Sequence, residues 1–168
     1  MMMKKLTQVL SVLLVCLVLF LPLDVAAQTS TRFQRQSLIS ADLSGEDLSG
    51  ETLQLREISD ANLTGTNLSN TDLRGSIFTA SVMKDANLHA ANFTFTVLNG
   101  VDFTNADLSQ AILEDAILSR AIFKDVDITG ADFTNAVLNN QQFNQLCEIA
   151  SGVNEETGVA TRESLGCF

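Results

Sequence analysis

Few residues in this chain could do chemistry near neutral pH. One histidine, His89, and three cysteines, Cys16, Cys147 and Cys167, stand among 168 residues with no Trp and no Tyr. A lone His offers little toward a metal site or a general base. Ser and Thr are abundant, yet no second candidate base stands ready to activate one of them. No Cys-His, Ser-His-Asp or metal-ligand spacing occurs, so the chain reads as no enzyme, with no cofactor and no metal. The balance of 20 Asp+Glu against 10 Lys+Arg also argues against contact with a phosphate backbone, which needs clustered cations.

The cysteines take their meaning from the N-terminus. Lys4 and Lys5 precede an apolar run from Val9 to Leu21, which Pro22 and Asp24 break, and Val25-Ala26-Ala27 supplies small residues at a cleavage site. The run is short for a membrane span. Residues 1–27 therefore read as a Sec-type signal peptide cut after Ala27, the alternative being an uncleaved N-terminal anchor. No Arg-Arg pair precedes the run, and Val15 before Cys16 is too large for lipoprotein processing. Removing Lys4, Lys5 and Asp24 leaves 8 basic and 19 acidic residues, a mature charge of −11. Once Cys16 is gone, Cys147 and Cys167 form an even pair in an exported chain, which reads as one disulfide rather than two free thiols.

Between these ends runs a period of five. Stepping from Phe33 gives Leu38, Leu43, Leu48, Leu53, Ile58, Leu63, Leu68, Leu73, Phe78, Met83, Leu88 and Phe93. It continues through Leu98, Phe103, Leu108, Leu113, Leu118, Phe123, Ile128, Phe133, Leu138 and Phe143, all large and apolar. Two places earlier a small residue recurs, as at Ala41, Ala61, Ser76, Ser81, Ala86, Ala106 and Ala131, and Asp or Asn often lies between. A helix needs apolar residues near every 3.6 and a strand at every second position, so a strict step of five means a corner in each unit. One unit buries nothing alone, and stacked coils must create the core.

The units Ala41-Asp42-Leu43, Ala61-Asn62-Leu63 and Ala106-Asp107-Leu108 resemble the pentapeptide-repeat family, whose consensus is A-(D/N)-L-x-x. The resemblance runs from Thr31 to about Gln145. It implies an all-β fold, a right-handed quadrilateral parallel β-helix with four units per coil, about 28 Å long at ~4.8 Å between stacked strands. Glu46, Glu51 and Arg56 replace the small residue in three successive units, which places them at the open first coil, where charge caps the core. The solenoid is expected over 28–145 and a disulfide-tied cap over 146–168. Phe143, Leu146, Ile149 and Ala150 share a helical face, with Gly152 as its stop. The ending, with Leu146-Cys147, Thr161-Arg162 and Ser164-Leu165-Gly166-Cys167, is similar to pentapeptide-repeat proteins of the thylakoid lumen in cyanobacteria and chloroplasts; the periplasm is the alternative compartment.

Four units per coil, taken from that resemblance, place every twentieth residue on one face. One column reads Asp47, Asn67, Asn87, Asp107, Asp127 and another Glu57, Ile77, Val97, Ile117, Val137. In the family this position points outward, so Ile77, Val97, Ile117 and Val137 form a candidate partner surface, the alternatives being plain strand preference or cover by the tail. Phe95 falls at an outward position, and His89 reads as surface decoration. The expected role is an exported scaffold that presents a rigid surface to an unidentified protein partner, with no nucleic acid and no stable membrane insertion. The other reading, an acidic DNA mimic of the kind that protects gyrase, fits the charge but conflicts with export.

Overall fold

The computed structural model describes residues 38–167. The signal peptide expected at 1–27 lies outside the described residues.

From Leu38 to Leu138 the chain repeats one motif: a two-residue turn, then three residues whose middle member bridges to its neighbours. Sixteen parallel bridges, from Asp42↔Asn62 to Ile117↔Val137, each join residues twenty apart. Four turns and four bridge positions therefore complete each circuit of the coil. No continuous strand forms among the described residues, and the rungs stack through single parallel bridges instead. The reason is geometric: a corner every five residues leaves three residues per side, room for one bridge rather than a ladder.

Each circuit, or rung, is held to the next by backbone hydrogen bonds. Leu43 N–H donates up to Asn62 O at 2.8 Å, and Asn62 N–H donates down to Ala41 O at 2.9 Å. The same pair of bonds recurs up the coil and satisfies groups that no helix or sheet would otherwise pair.

The five-step side chains point inward. Leu63, Leu68, Leu73, Phe78, Leu88, Phe93, Leu98, Phe103, Leu108, Leu113, Leu118, Phe123 and Phe133 are all buried. Phe103 and Phe123 stack with ring centroids 5.5 Å apart. Leu138, at the top, is only partly buried because no further rung covers it. The small position carries more than small volume. Thr66, Thr71, Ser76 and Ser81 are buried, and their hydroxyls donate to Leu43, Leu48, Leu53 and Ile58 carbonyls at 2.6–2.9 Å. In the first rung Glu46 is exposed and Glu51 and Arg56 are half-buried, so these charges sit where the stack opens.

Each corner places its second turn residue in the left-handed region. All twenty such positions from Ser40 to Asn135 have φ between 52° and 71°, and fourteen of them are not glycine. An L-residue there costs roughly 1–2 kcal/mol. The coil tolerates this because its register over-determines every corner.

The top rung is closed by helix α1 (Asn140–Ile149), capped reciprocally by Asn139 and Gln142. The expected boundary between 145 and 146 falls inside this helix. Its buried face also differs from expectation: Gln142 and Leu146 are buried, Phe143 is half-buried and Ile149 is exposed. The cause lies in the last rung, whose carbonyls have no rung above to donate to them. Gln142 Nε2 donates to Leu118 O and Ala121 O at 2.8 Å, and Gln145 Nε2 to Phe123 O at 2.7 Å. Side-chain amides thus replace the missing backbone.

Helix α1 ends at Ala150 in extended conformation, not at Gly152. Gly152, with φ +81°, serves a different need: a Cβ there would lie 2.8 Å from Gly130 N. The tail returns through α2 (Thr161–Leu165), and Cys167 bonds Cys147 with Cα atoms 5.7 Å apart. Closing this loop contributes about 3 kcal/mol on the chain-entropy account. Gln142→Leu should keep α1 helical yet lower unfolding free energy by about 2 kcal/mol, since Ala121 O loses its donor and Leu118 O is left with Ala121 N–H alone. Urea unfolding checks this, and an unchanged midpoint would refute the capping role.

Candidate functional site

The coil presents four outward faces, defined by the bridge columns that begin at Asp42, Asp47, Thr52 and Glu57. On the first three faces the bridge residue is usually Asp or Asn. Each of these eleven, from Asp42 to Asp132, accepts the backbone N–H two residues on, at 2.9–3.3 Å. This Asx contact closes the corner that follows. Asn and Asp also link rungs, as where Asn67 Nδ2 meets Asp47 Oδ1 at 2.9 Å.

These contacts set the carboxylate chemistry. The Ser44 and Ser49 hydroxyls hold Asp42 and Asp47 below the usual carboxylate value of 3.8. Asp72 is lowered chiefly by Arg74, 2.7 Å away, and Gln54 also donates to it. For Asp102 burial pushes upward, but the Thr104 hydroxyl and amide together with Lys84 outweigh it, and the net direction is down.

The fourth face departs from this rule. Its bridge residues after Glu57 are Ile77, Val97, Ile117 and Val137, which can make no Asx bond. Ile77 is 39% exposed, Ile117 38% and Val137 49%, with Val97 less so. Two further apolar side chains adjoin them at the corner leading into the face: Leu55, 81% exposed, and Phe95, 65% exposed. Both occupy the strained left-handed position, with φ 56° and 58°. Leu55 was not singled out from the sequence, although an apolar residue at a corner position was a readable signal.

The tail lies elsewhere. Asn154 Nδ2 donates to Gln110 O and Gly130 O, Ser164 Oγ accepts from Phe133 N, and Gly130 N donates to Ser151 O. All of these belong to the third face or the corner before it. On that side the outward Ile112 and Asp132 are 4% and 3% exposed. Ile112 is covered by the chain, and on the first face Ile122, 48% exposed, bridges to Asp102, while the fourth face carries four apolar bridge residues in succession.

The register also brings His89 to Ser109, with Nδ1 2.8 Å from Oγ, a pairing invisible without the twenty-residue step. His89 is exposed on the convex outer surface, so the contact is a surface hydrogen bond, not a nucleophile held against a substrate. Among the described residues no three His, Cys, Asp or Glu gather as metal ligands, and no helix is long and apolar enough to cross a membrane.

A family model described as pentapeptide repeats matches residues 57–94, 86–125 and 102–140, with 8 copies. Among solved structures, a pentapeptide repeat protein from the Arabidopsis thaliana thylakoid lumen is 36% identical. That match covers 76% of this chain and 89% of the other, with a TM-score of 0.54. HetL, a pentapeptide repeat protein involved in heterocyst differentiation regulation from the cyanobacterium Nostoc, is 32% identical, covering 60% of this chain and 52% of its own, with a TM-score of 0.45. No curated protein matches the chain.

Two outcomes follow from this geometry. Val97→Asp should lower stability by less than about 1 kcal/mol, because Asp already fills the equivalent bridge position on the other faces; loss of the folded circular-dichroism spectrum would make the stripe structural. The lowered carboxylates stabilise the fold fully at neutral pH and cease to do so as pH falls through and below 3.8. Asp102→Asn should therefore lose less stability than the unaltered chain between about pH 5 and pH 2, measured by urea unfolding across that range.

Proposed function

The chain belongs to the pentapeptide-repeat family, and from that premise we propose that it is an exported, non-catalytic scaffold whose fourth face docks a protein partner. In this reading the coil is the family's right-handed quadrilateral β-helix, a form supported by the parallel bridges at a twenty-residue register and four corners per circuit. The compartment is the thylakoid lumen. Support comes from the signal-like run at 1–27, the Cys147–Cys167 disulfide and the 36% identity to a protein of that compartment.

One observation carries the docking role. On three faces the bridge residue is used mainly to close corners, through Asx hydrogen bonds. On the fourth, four rungs in succession forgo that bond and hold β-branched apolar side chains in partial contact with water. The coil itself gains little from leaving them exposed, whereas a partner that covers them gains their desolvation, ~25 cal/mol per Å². The neighbouring Leu55 and Phe95 extend the apolar area at corners where each pays a backbone strain.

A rigid rod with a fixed face requires no ordering on binding, which favours recognition through a small patch. Catalysis has no support in the geometry, whose outer surface is convex and whose interior is filled by Leu and Phe.

The test is differential capture. Oxidised mature protein and its Val97→Asp variant, each tagged, are incubated with lumenal extract under mild cross-linking and their bound proteins identified by mass spectrometry. A partner retained by the unaltered chain and lost from Val97→Asp is the expected result. Identical recovery with both would remove the fourth face from the function.

A further inference from the structure

The fourth face is matched to itself, and this match names its partner. We infer that the face docks a second copy of this chain, with the two coils side by side and parallel about a two-fold axis along the coil direction. The inference rests on the reading that this face is a docking surface.

The bridges fix the height of every residue involved. Phe95, at the corner leading into the face, shares a rung with Val97 and with Gly100 at the corner leaving it. One rung higher, reached through the bridge Val97↔Ile117, Asp115 and Arg120 hold the same two corner positions. A two-fold axis along the coil lays the leading corner of one copy against the trailing corner of the other at equal height. Two complementary contacts result. The projecting Phe95 meets Gly100 of the second copy, whose Cβ position has no atom within 4 Å. Asp115 meets Arg120 of the second copy, opposite in charge, and the symmetry makes that pair twice.

Within the chain neither group is so engaged: the ion pairs among the described residues are Arg74–Asp72, Lys84–Asp102 and Lys124–Asp125. Between the corners Ile77, Val97, Ile117 and Val137 each face their own symmetry mates. A two-fold axis across the coil would instead set rung against rung in reverse. With the same four rungs overlaid, Asp115 would then lie against Phe95, and Arg120 against Gly100, with no ion pair formed. The parallel arrangement is the one the charges select. Its lower limit is Glu57, which would oppose itself, so the contact spans four rungs, ~20 Å of coil. That is a small interface, below the ~800 Å² per partner of stable complexes, and the dimer is accordingly weak and reversible.

The test uses sedimentation equilibrium on the oxidised mature chain at concentrations up to about 1 mM. A monomer–dimer equilibrium is expected. Asp115→Arg and Arg120→Asp should each weaken it at least about tenfold, since each sets like charges together twice. Both substitutions introduce residue types that the corner position already accepts, at Arg120 and Asp115, both with positive φ. Mixing the two single variants should restore association as a heterodimer, because both ion pairs reform, one in its original sense and the other with its charges exchanged.

A chain that stays monomeric throughout, single variants that associate as the unaltered chain does, or a mixture that fails to recover would each overturn the inference. If the unaltered chain is monomeric while Val97→Asp still loses a partner from extract, self-docking fails and the docking face stands. If Val97→Asp changes neither, both readings fall.

Discussion

The molecule depends on one constraint: apart from the bond across each corner, such as Thr66 N–H to Leu63 O, the coil's backbone hydrogen bonds run between residues about twenty apart. The bridge residue, and the N–H of the residue after it, have no backbone partner within their own rung. Leu43 N–H must meet Asn62 O above it, and Asn62 N–H must meet Ala41 O below. A slip of one residue would turn Leu43 outward and Asp42 inward, so the hydrophobic period and the hydrogen-bond register enforce each other. Twenty corners in left-handed conformation, fourteen without glycine, show how much local strain that mutual enforcement carries.

The same constraint explains the cap. Every internal rung satisfies its neighbours, so the unpaired groups collect at the ends, where an open edge would invite another chain. At the top, Gln142 and Gln145 supply amide donors to three carbonyls, and Ser164 accepts a top-rung amide. Helix α1 is thus oriented by hydrogen-bond demand more than by its apolar residues. The disulfide then holds the returning tail, which buries Ile112 and Asp132 on the third face and leaves the fourth bare.

A repeating coil makes function a matter of departures from the repeat. Asp and Asn at the bridge position serve the coil, since each closes a corner. Ile77, Val97, Ile117 and Val137 serve it less, and their alignment over four rungs turns four separate substitutions into one surface. Stacking at a fixed rise also brings Phe95, Gly100, Asp115 and Arg120 to set heights on the two borders of that surface. Rigidity, in this fold, converts sequence spacing directly into spatial pattern.

Much of this was readable from residue order alone. Large apolar residues every fifth place, with small ones two before, leave the backbone only a cornered coil with those side chains inside, and the burial of Leu63 through Phe133 follows from sterics local to each unit. The cysteine pair was readable by count. Other features carried a signal that went unread: Gly45, Gly50 and Gly65 at corner positions pointed to positive φ, and Ser76 and Ser81 held hydroxyls where size alone was considered. Strands were expected where single bridges stand, although a corner in every five residues already limits each side to three. The rest required the tertiary structure. Phe143 and Ile149 looked like the inner face of α1, but the carbonyls that draw Gln142 inward belong to residues more than twenty positions earlier. Which face the tail covers was settled by contacts over the same kind of distance, such as Asn154 with Gln110. Sequence spoke for interactions confined to one unit; those between a rung and a distant segment depend on where the chain returns, and no local spacing encodes that.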